Sequence, residues 1–343
     1  MMAVVPLTPL AAKLVAREAA EKPFGVVARC LSEDWGRQLA ASEIQRWSER
    51  MGAQVVAVRE AERLAWERGV PVASLESSPE LLVIGMDGGR YQSRCKDEKT
   101  KSRWRENKVL SITSYLPGDG HDGGERPPKR LVTTLLATVS DAAGFGKLVR
   151  VEAERRGLDR AKVVLNLSDG GQWIDGIDHR EHLADTRIID YYHAAEHLCA
   201  SAKAVYGNTP EAYAAWRKLK DWLWAGQLDR VLNWLADAHA SLGPVQDNDP
   251  TDHPRRVVAN DLGYFRRHRE HMRYDVYRSK GWPIGSGPTE ASVKQFNKRV
   301  KGTEQFWNES GVEAIMALRA LWRSEDGRWE RYWLSRHAYQ KAA

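Results

Sequence analysis

The stretch Leu81-Leu82-Val83-Ile84-Gly85-Met86-Asp87-Gly88-Gly89-Arg90 decides how this chain is read. The apolar run Leu81 to Met86 has the length and composition of a buried strand. It delivers a carboxylate, Asp87, at its end, which is unfavourable unless the acid meets a cation. The pattern recurs in Val163-Val164-Leu165-Asn166-Leu167-Ser168-Asp169-Gly170-Gly171, where Asp169 follows a second apolar strand. For one Asp-Gly after a strand, a turn is the ordinary explanation. Two of them on strands expected to be neighbours imply paired carboxylates. Such a pair repels itself and favours a hard divalent cation with oxygen ligands.

Outward from these stretches, Val109 to Leu116 alternates and is β-rich, and Leu131 to Val139 is rich in Thr, Val and Leu. The Gly/Pro/Asp-rich segment Pro117 to Lys129 reads as their hairpin connection. A helix is expected over Gly146 to Arg156, a strand over Lys162 to Leu167, a helix over Gln172 to Leu183 and a short strand over Thr186 to Asp190. The order is βββαβαβ, the ribonuclease H-like order, in which a mixed sheet is flanked by helices. From Ala194 to Trp282 only helical pattern follows, with Trp216, Trp222, Trp224 and Trp234 among leucines.

Upstream, residues 1 to about 75 look helical. Leu10 to Ala20 carries apolar residues at helical spacing. Phe24 to Leu31 and Ser42 to Met51 form a pair across the turn Ser32 to Gly36, with Ser42 as a cap and Gly52 as a stop. The pair resembles a helix-turn-helix with a recognition face of Ser42, Glu43, Gln45, Arg46 and Arg50. The expected division is a helical region over 1–78 and a core over 79–198. A helical insertion over 199–282, core again over 283–325 and a tail over 326–343 complete it.

Glu290 is the third candidate acid. It opens a helix expected over Thr289 to Lys301, after Pro283-Ile284-Gly285-Ser286-Gly287-Pro288. Thr289 is expected to cap that helix. A lone Glu in a first turn is explained by the helix dipole. Here Ser286 and Gly287 permit close backbone approach, and Lys294, Lys298, Arg299 and Lys301 follow with no acid between them. Another helix is expected over Ser310 to Trp322. Asp190 and His193 close the fifth strand as Asp-Tyr-Tyr-His, near the edge expected to carry Asp169. Either could brace the site, and Asp190 is the alternative second acid. His193 and His197 share a helical face, but Glu196 does not stand in the zinc-protease order.

The 343 residues carry a net charge of +6. Arg90 to Lys108 and Arg255 to Lys280 each hold +5 and Lys294 to Lys301 holds +4, leaving the remainder at −8. Clustered cations on a mildly basic chain suit a polyanion such as DNA. The bland explanation is solvated surface. No apolar run reaches the roughly 20 residues of a membrane span, and no signal peptide is evident. Cys30, Cys95 and Cys199 are odd in number and form no CxxC pair, which fits a reducing cytoplasm.

Together these features resemble the DDE transposases of bacterial insertion sequences, particularly their Kra-type and Mutator-like relatives. Asp87-Gly, Ser168-Asp169-Gly170 and Gly285-Ser286-Gly287-x-x-Glu290 carry the resemblance. Asp190-x-x-His193 resembles a C/DxxH element of that group, and Trp307 with the helix after Gly311 its terminal segment. The 82 positions from Asp87 to Asp169 and the 121 from Asp169 to Glu290 leave room for an all-helical insertion before the last acid. The resemblance implies a ribonuclease H-like core in which Asp87, Asp169 and Glu290 hold two Mg²⁺ ions roughly 4 Å apart, with Mn²⁺ able to substitute. It also implies cleavage and joining of double-stranded DNA at element ends and target, by a homodimer or larger oligomer. Asp190 and His193 would support the site. Arg90, Arg94, Lys294, Lys298, Arg299, Lys301 and Trp307 would contact DNA, with Arg46 and Arg50 from the N-terminal helices. A bacterial cytoplasmic, nucleoid-associated location follows. Two rivals remain: another ribonuclease H-like nuclease, and a non-catalytic DNA-binding descendant.

Overall fold

Strand β1 (Leu81–Gln92) alternates its side chains between two separate cores. Leu82, Ile84 and Met86 enter one with Phe145, Leu148 and Ile177, whereas Leu81 and Val83 enter another with Leu198, Leu223 and Phe265. The computed structural model describes residues 7–74, 78–120, 126–302 and 305–342. In it β1 is the centre of a five-stranded sheet ordered β3-β2-β1-β4-β5. Strands β2 (Trp104–Leu116) and β3 (Lys129–Thr138) extend it antiparallel; β4 (Val164–Ser168) and β5 (Thr186–Ile189) run parallel to β1.

The expected βββαβαβ order is present, with first and fourth strands adjacent. One correction concerns Asp87, which lies inside β1 opposite Val109 rather than after its end. The strand runs through Gly88-Gly89 to Gln92 because β2, from Trp104 onward, pairs with it throughout. Helices α4 (Ala142–Arg155) and α5 (Gln172–Glu181) cover the even-numbered face of β1. Burying a large aliphatic side chain contributes about 1.5–3 kcal/mol, so this layer is a principal source of stability.

The odd-numbered face is shared. Its lower half meets the helical insertion: α6 (Tyr191–Tyr206), α7 (Pro210–Trp224), α8 (Leu228–Leu242), α9 (Pro254–Arg267) and α10 (Tyr274–Ser279). Its upper half, at Tyr91, Val109, Leu135 and Ala137, meets α11 (Gly287–Val300), α12 (Glu309–Arg323) and the N-terminal helices. The hairpin connection reaches the end of the insertion, where Gly118 donates its N–H to the Gly281 carbonyl at 2.9 Å. Residues 121–125 of that connection lie outside the described residues.

The N-terminal region departs from expectation. Helices α1 (Pro9–Glu21) and α2 (Phe24–Trp35) are followed by one 27-residue helix, α3 (Ala41–Glu67), which does not stop at Gly52. A Cβ at Gly52 would lie 2.1 Å from the Ala314 carbonyl oxygen. The glycine therefore serves a close crossing of α3 over α12. Residues of α1 and α3 share a core with α11 and α12, so these helices are not a free-standing module. The expected tail is also structured: α13 (Arg328–Ala342) buries Trp329 and Trp333, with Trp329 edge-on to Trp322 at 5.3 Å.

Candidate functional site

Asp87 occupies the seam between the two cores of the odd-numbered face, with Gly85 below it and Gly89 above. Neither neighbour has a side chain, which lets α11 lie directly on the strand. A Cβ at Gly85 would stand 1.9 Å from Thr289 Oγ1. Thr289 does not cap α11. It sits buried in the first turn, its hydroxyl 2.8 Å from Ser111 Oγ, and Ser286 holds the capping position. Higher up, Asn297 Oδ1 accepts the Arg90 N–H at 3.2 Å.

Asp169 follows β4. The register that pairs Leu82 with Val164 and Ile84 with Asn166, carried onward, sets Asp169 level with Asp87. Its Oδ1 accepts the Gly171 N–H at 2.9 Å. Gly170 adopts φ +92°, a left-handed conformation that glycine supplies without steric cost. This turn explains the Asp-Gly pair locally and leaves the carboxylate at the sheet edge. Glu290 stands in the first turn of α11, its Oε2 accepting from Lys294 Nζ at 3.1 Å.

The charges of Asp169 and Glu290 reach Asp87. Burial drives the Asp87 carboxyl up from 3.8 to about 6 against a bond from the Gly88 N–H, and the negative charges of Asp169 and Glu290 push in the same direction. The donor set is all oxygen, which matches a hard divalent cation. The residues fit such an ion in kind, but the ligand set is not closed. Among the described residues, no three His, Cys, Asp or Glu side chains are grouped tightly enough to hold a metal.

Asp190 has a different task. Its Oδ1 accepts from the N–H groups of Tyr192 and His193 at 2.6 and 3.0 Å, capping α6. Its Oδ2 accepts the Ser286 N–H at 2.5 Å and the Ser286 hydroxyl. The side chain is 1% exposed. Asp190 thus ties the end of β5 to the start of α11 and fixes where Glu290 begins. As an alternative second acid it is poorly placed, because four donors already engage it. His193 Nε2 lies 3.2 Å from His197 Nε2, and His197 Nδ1 lies 2.7 Å from Asp261 Oδ1. Both nitrogens of His197 therefore have protein partners.

The expected DNA-contacting residues divide. Arg46, Arg50, Arg90, Arg94, Lys294, Lys298 and Lys301 are exposed. Arg299 and Trp307 are not available to DNA. Arg299 is 2% exposed and donates to the Ala19 carbonyl at 2.9 Å, its guanidinium between the rings of Phe24 and Trp307. Burial lowers its pKa to about 9. Trp307 is 4% exposed and donates Nε1–H to the Val300 carbonyl. Both fasten α1 and α2 to the core. In the second basic stretch, Arg255 pairs with Asp249 at 2.8 Å, Arg269 pairs with Asp229 at 2.8 Å, and Arg278 lies over Trp224 at 3.8 Å.

Sequence reasoning missed two exposed aromatic rings, Trp104 at the start of β2 and Phe306 between α11 and α12. Trp104 and Phe306 are 40% and 41% exposed, with Lys301 over the first ring and Arg103 over the second. Arg103-Trp104-Arg105 within a basic run was the available signal. Tyr264, whose hydroxyl donates to the Asp169 carbonyl at 2.9 Å, had none.

No helix among the described residues is long and apolar enough to cross a membrane. No protein-family model matches the chain. No curated protein matches it either. Among solved structures, the Drosophila P element transposase strand transfer complex is similar over 95% of this chain and 93% of that one, at 9% identity and a TM-score of 0.42. At that level of likeness, what the chain does has to be read from its own residues.

Proposed function

We propose that this chain is a DDE-type DNA transposase with a ribonuclease H-like core, cutting and joining DNA in a divalent-metal-dependent reaction. One observation carries it: Asp169 at the end of β4 and Glu290 at the start of α11, the latter 203 positions from Asp87, both come near enough for their charges to raise the Asp87 carboxyl on β1. The sheet order β3-β2-β1-β4-β5 and the helical block between the second and third acids support it. So do the exposed cations Lys294, Lys298 and Lys301 beside Glu290.

Asp87, Asp169 and Glu290 would hold the metal, Mg²⁺ or Mn²⁺, once drawn closer together than they stand in this structure. A divalent metal held there would supply Lewis-acid activation of the attacking water or DNA 3′-hydroxyl and charge stabilisation at the leaving oxygen. The chain's own residues supply the rest. Asp190 and Ser286 fix the origin of α11, and Gly85 lets that helix approach the strand bearing Asp87. Lys294, Lys298, Lys301, Arg90 and Arg94 would neutralise backbone phosphates on duplex element ends and target. Joining two ends calls for a homodimer or larger assembly on DNA.

The test is cleavage in Mg²⁺ of a duplex carrying the DNA that flanks the coding sequence on either side. Asp87→Ala, Asp169→Ala and Glu290→Ala should each abolish cleavage and leave DNA affinity in EDTA within about twofold. Wild-type cleavage by any of them would overturn the assignment. A non-catalytic DNA-binding descendant is the second reading, favoured by the pairing of Glu290 with Lys294. It predicts DNA binding without cleavage in either metal at any concentration.

A further inference from the structure

We propose that the helical insertion acts on the metal site through Tyr264, a positioning residue that sets the divalent-cation affinity of Asp169. The inference rests on Asp169 being a metal ligand. Tyr264 belongs to α9, 95 positions after Asp169, and its hydroxyl donates to the Asp169 main-chain carbonyl at 2.9 Å. That bond holds the turn from which the carboxylate projects. The next residue, Gly170, is confined as well: a Cβ there would meet the Tyr264 ring at 3.2 Å.

Tyr264 is itself held. The His197 ring of α6 stacks on it, centroids 4.3 Å apart and planes 19° from parallel. His197 is oriented by Asp261, 2.7 Å from its Nδ1. Asp261 is 4% exposed and its other oxygen accepts the Ser201 hydroxyl at 2.6 Å. An aspartate accepts only, so the neutral imidazole carries its proton on Nδ1 and presents Nε2 as an acceptor. The neighbouring His193 Nε2, 3.2 Å away, is then the donor. The brace runs Ser201, Asp261, His197, Tyr264, Asp169, with helices α6 and α9 of the insertion contributing.

Groups that orient metal ligands are typically worth about 10–100-fold in metal affinity. The experiment titrates Mn²⁺ into the full-length protein, reading bound metal by electron paramagnetic resonance or calorimetry. Tyr264→Phe removes one oxygen and keeps the stacked ring. It should weaken Mn²⁺ binding about tenfold, leave DNA affinity in EDTA within twofold, and recover cleavage to within about threefold at saturating Mn²⁺. Asp261→Asn should weaken Mn²⁺ in the same direction, and the double variant should be no worse than Tyr264→Phe alone. Wild-type Mn²⁺ affinity in Tyr264→Phe, or multiplied effects in the double variant, would overturn the brace. Asp169→Asn separates the two levels. If it loses Mn²⁺ while Tyr264→Phe does not, only the brace fails. If it binds Mn²⁺ normally, the metal-site reading fails first.

Discussion

Replacing Asp87 by Asn should make the metal-free protein more stable. Folding raises this carboxyl from 3.8 to about 6, through burial first and then the charges of Asp169 and Glu290. One pKa unit corresponds to about 1.4 kcal/mol, so the ionised acid costs the folded state about 3 kcal/mol at neutral pH. The sign follows from proton binding. The folded state holds this proton more tightly than the unfolded chain, so stability falls as pH rises from about 4 to about 6 and stays lower above. Asparagine carries no charge and escapes that loss. With an unfolding entropy of roughly 2.1 cal/mol/K per residue, 3 kcal/mol raises the Tm by about 4 °C. Scanning calorimetry in EDTA at pH 7.5 should show the gain, and the gain should vanish near pH 4. In an Asp169→Asn background it should shrink, because part of the repulsion is already gone. Added Mn²⁺ should reverse the order, raising the wild-type Tm and leaving Asp87→Asn where it was. An Asp87→Asn protein no more stable than wild type in EDTA at pH 7.5 would refute the raised carboxyl, and a gain undiminished in the Asp169→Asn background would refute the claim that these acids share a field.

Gly85→Ala should leave a folded protein that does not cleave DNA, because the new Cβ would stand 1.9 Å from Thr289 Oγ1 and push away the helix bearing Glu290. Overpacking of this kind costs about 1–3 kcal/mol, and circular dichroism with a cleavage assay reads both outcomes. Arg299→Ala should cost about 2–4 kcal/mol in urea unfolding, since it empties a buried site and orphans the Ala19 carbonyl. It should leave the salt dependence of DNA binding unchanged. Lys298→Ala should do the reverse, with stability within about 0.5 kcal/mol and a log–log salt slope shallower by about one. Glu152 is buried, which alone would raise its pKa, but the Arg328 and Arg155 guanidinium groups lower it from 4.5 to about 2. Its stabilisation is complete above about pH 4.5 and is lost as pH falls towards 2. Glu152→Gln should therefore destabilise the protein by about 3 kcal/mol at pH 7 and by little at pH 2.5.

Much of the core was legible because strands announce themselves locally. Leu81 to Met86 and Val163 to Leu167 are short apolar runs beside glycines, and each acid stands next to its run. Glu290 was legible from Gly285 to Pro288 before it and the cations after it. Arg299 and Lys298 look alike in sequence, yet one is buried and the other exposed. Their helical phase differs by one residue, and only the packing of α1 against α11 decides which side is interior. Gly52 has the composition of a helix stop. It became a crossing point because α12 needed the space. Trp329 and Trp333 stand in a polar segment whose destination is set by Trp322, a partner in another helix.

By itself the amino-acid order determined the βββαβαβ succession of the core and the placement of the basic stretches, and it marked three candidate acids, since each rests on neighbours a few positions apart. The tertiary structure alone decided that Asp87 lies within a strand, that Asp190 is consumed in tying β5 to α11, and that Tyr264 reaches Asp169 across 95 positions. The reason is physical. Propensity and periodicity act over one or two turns of chain, whereas burial and hydrogen-bond partnership belong to surfaces that meet only after folding.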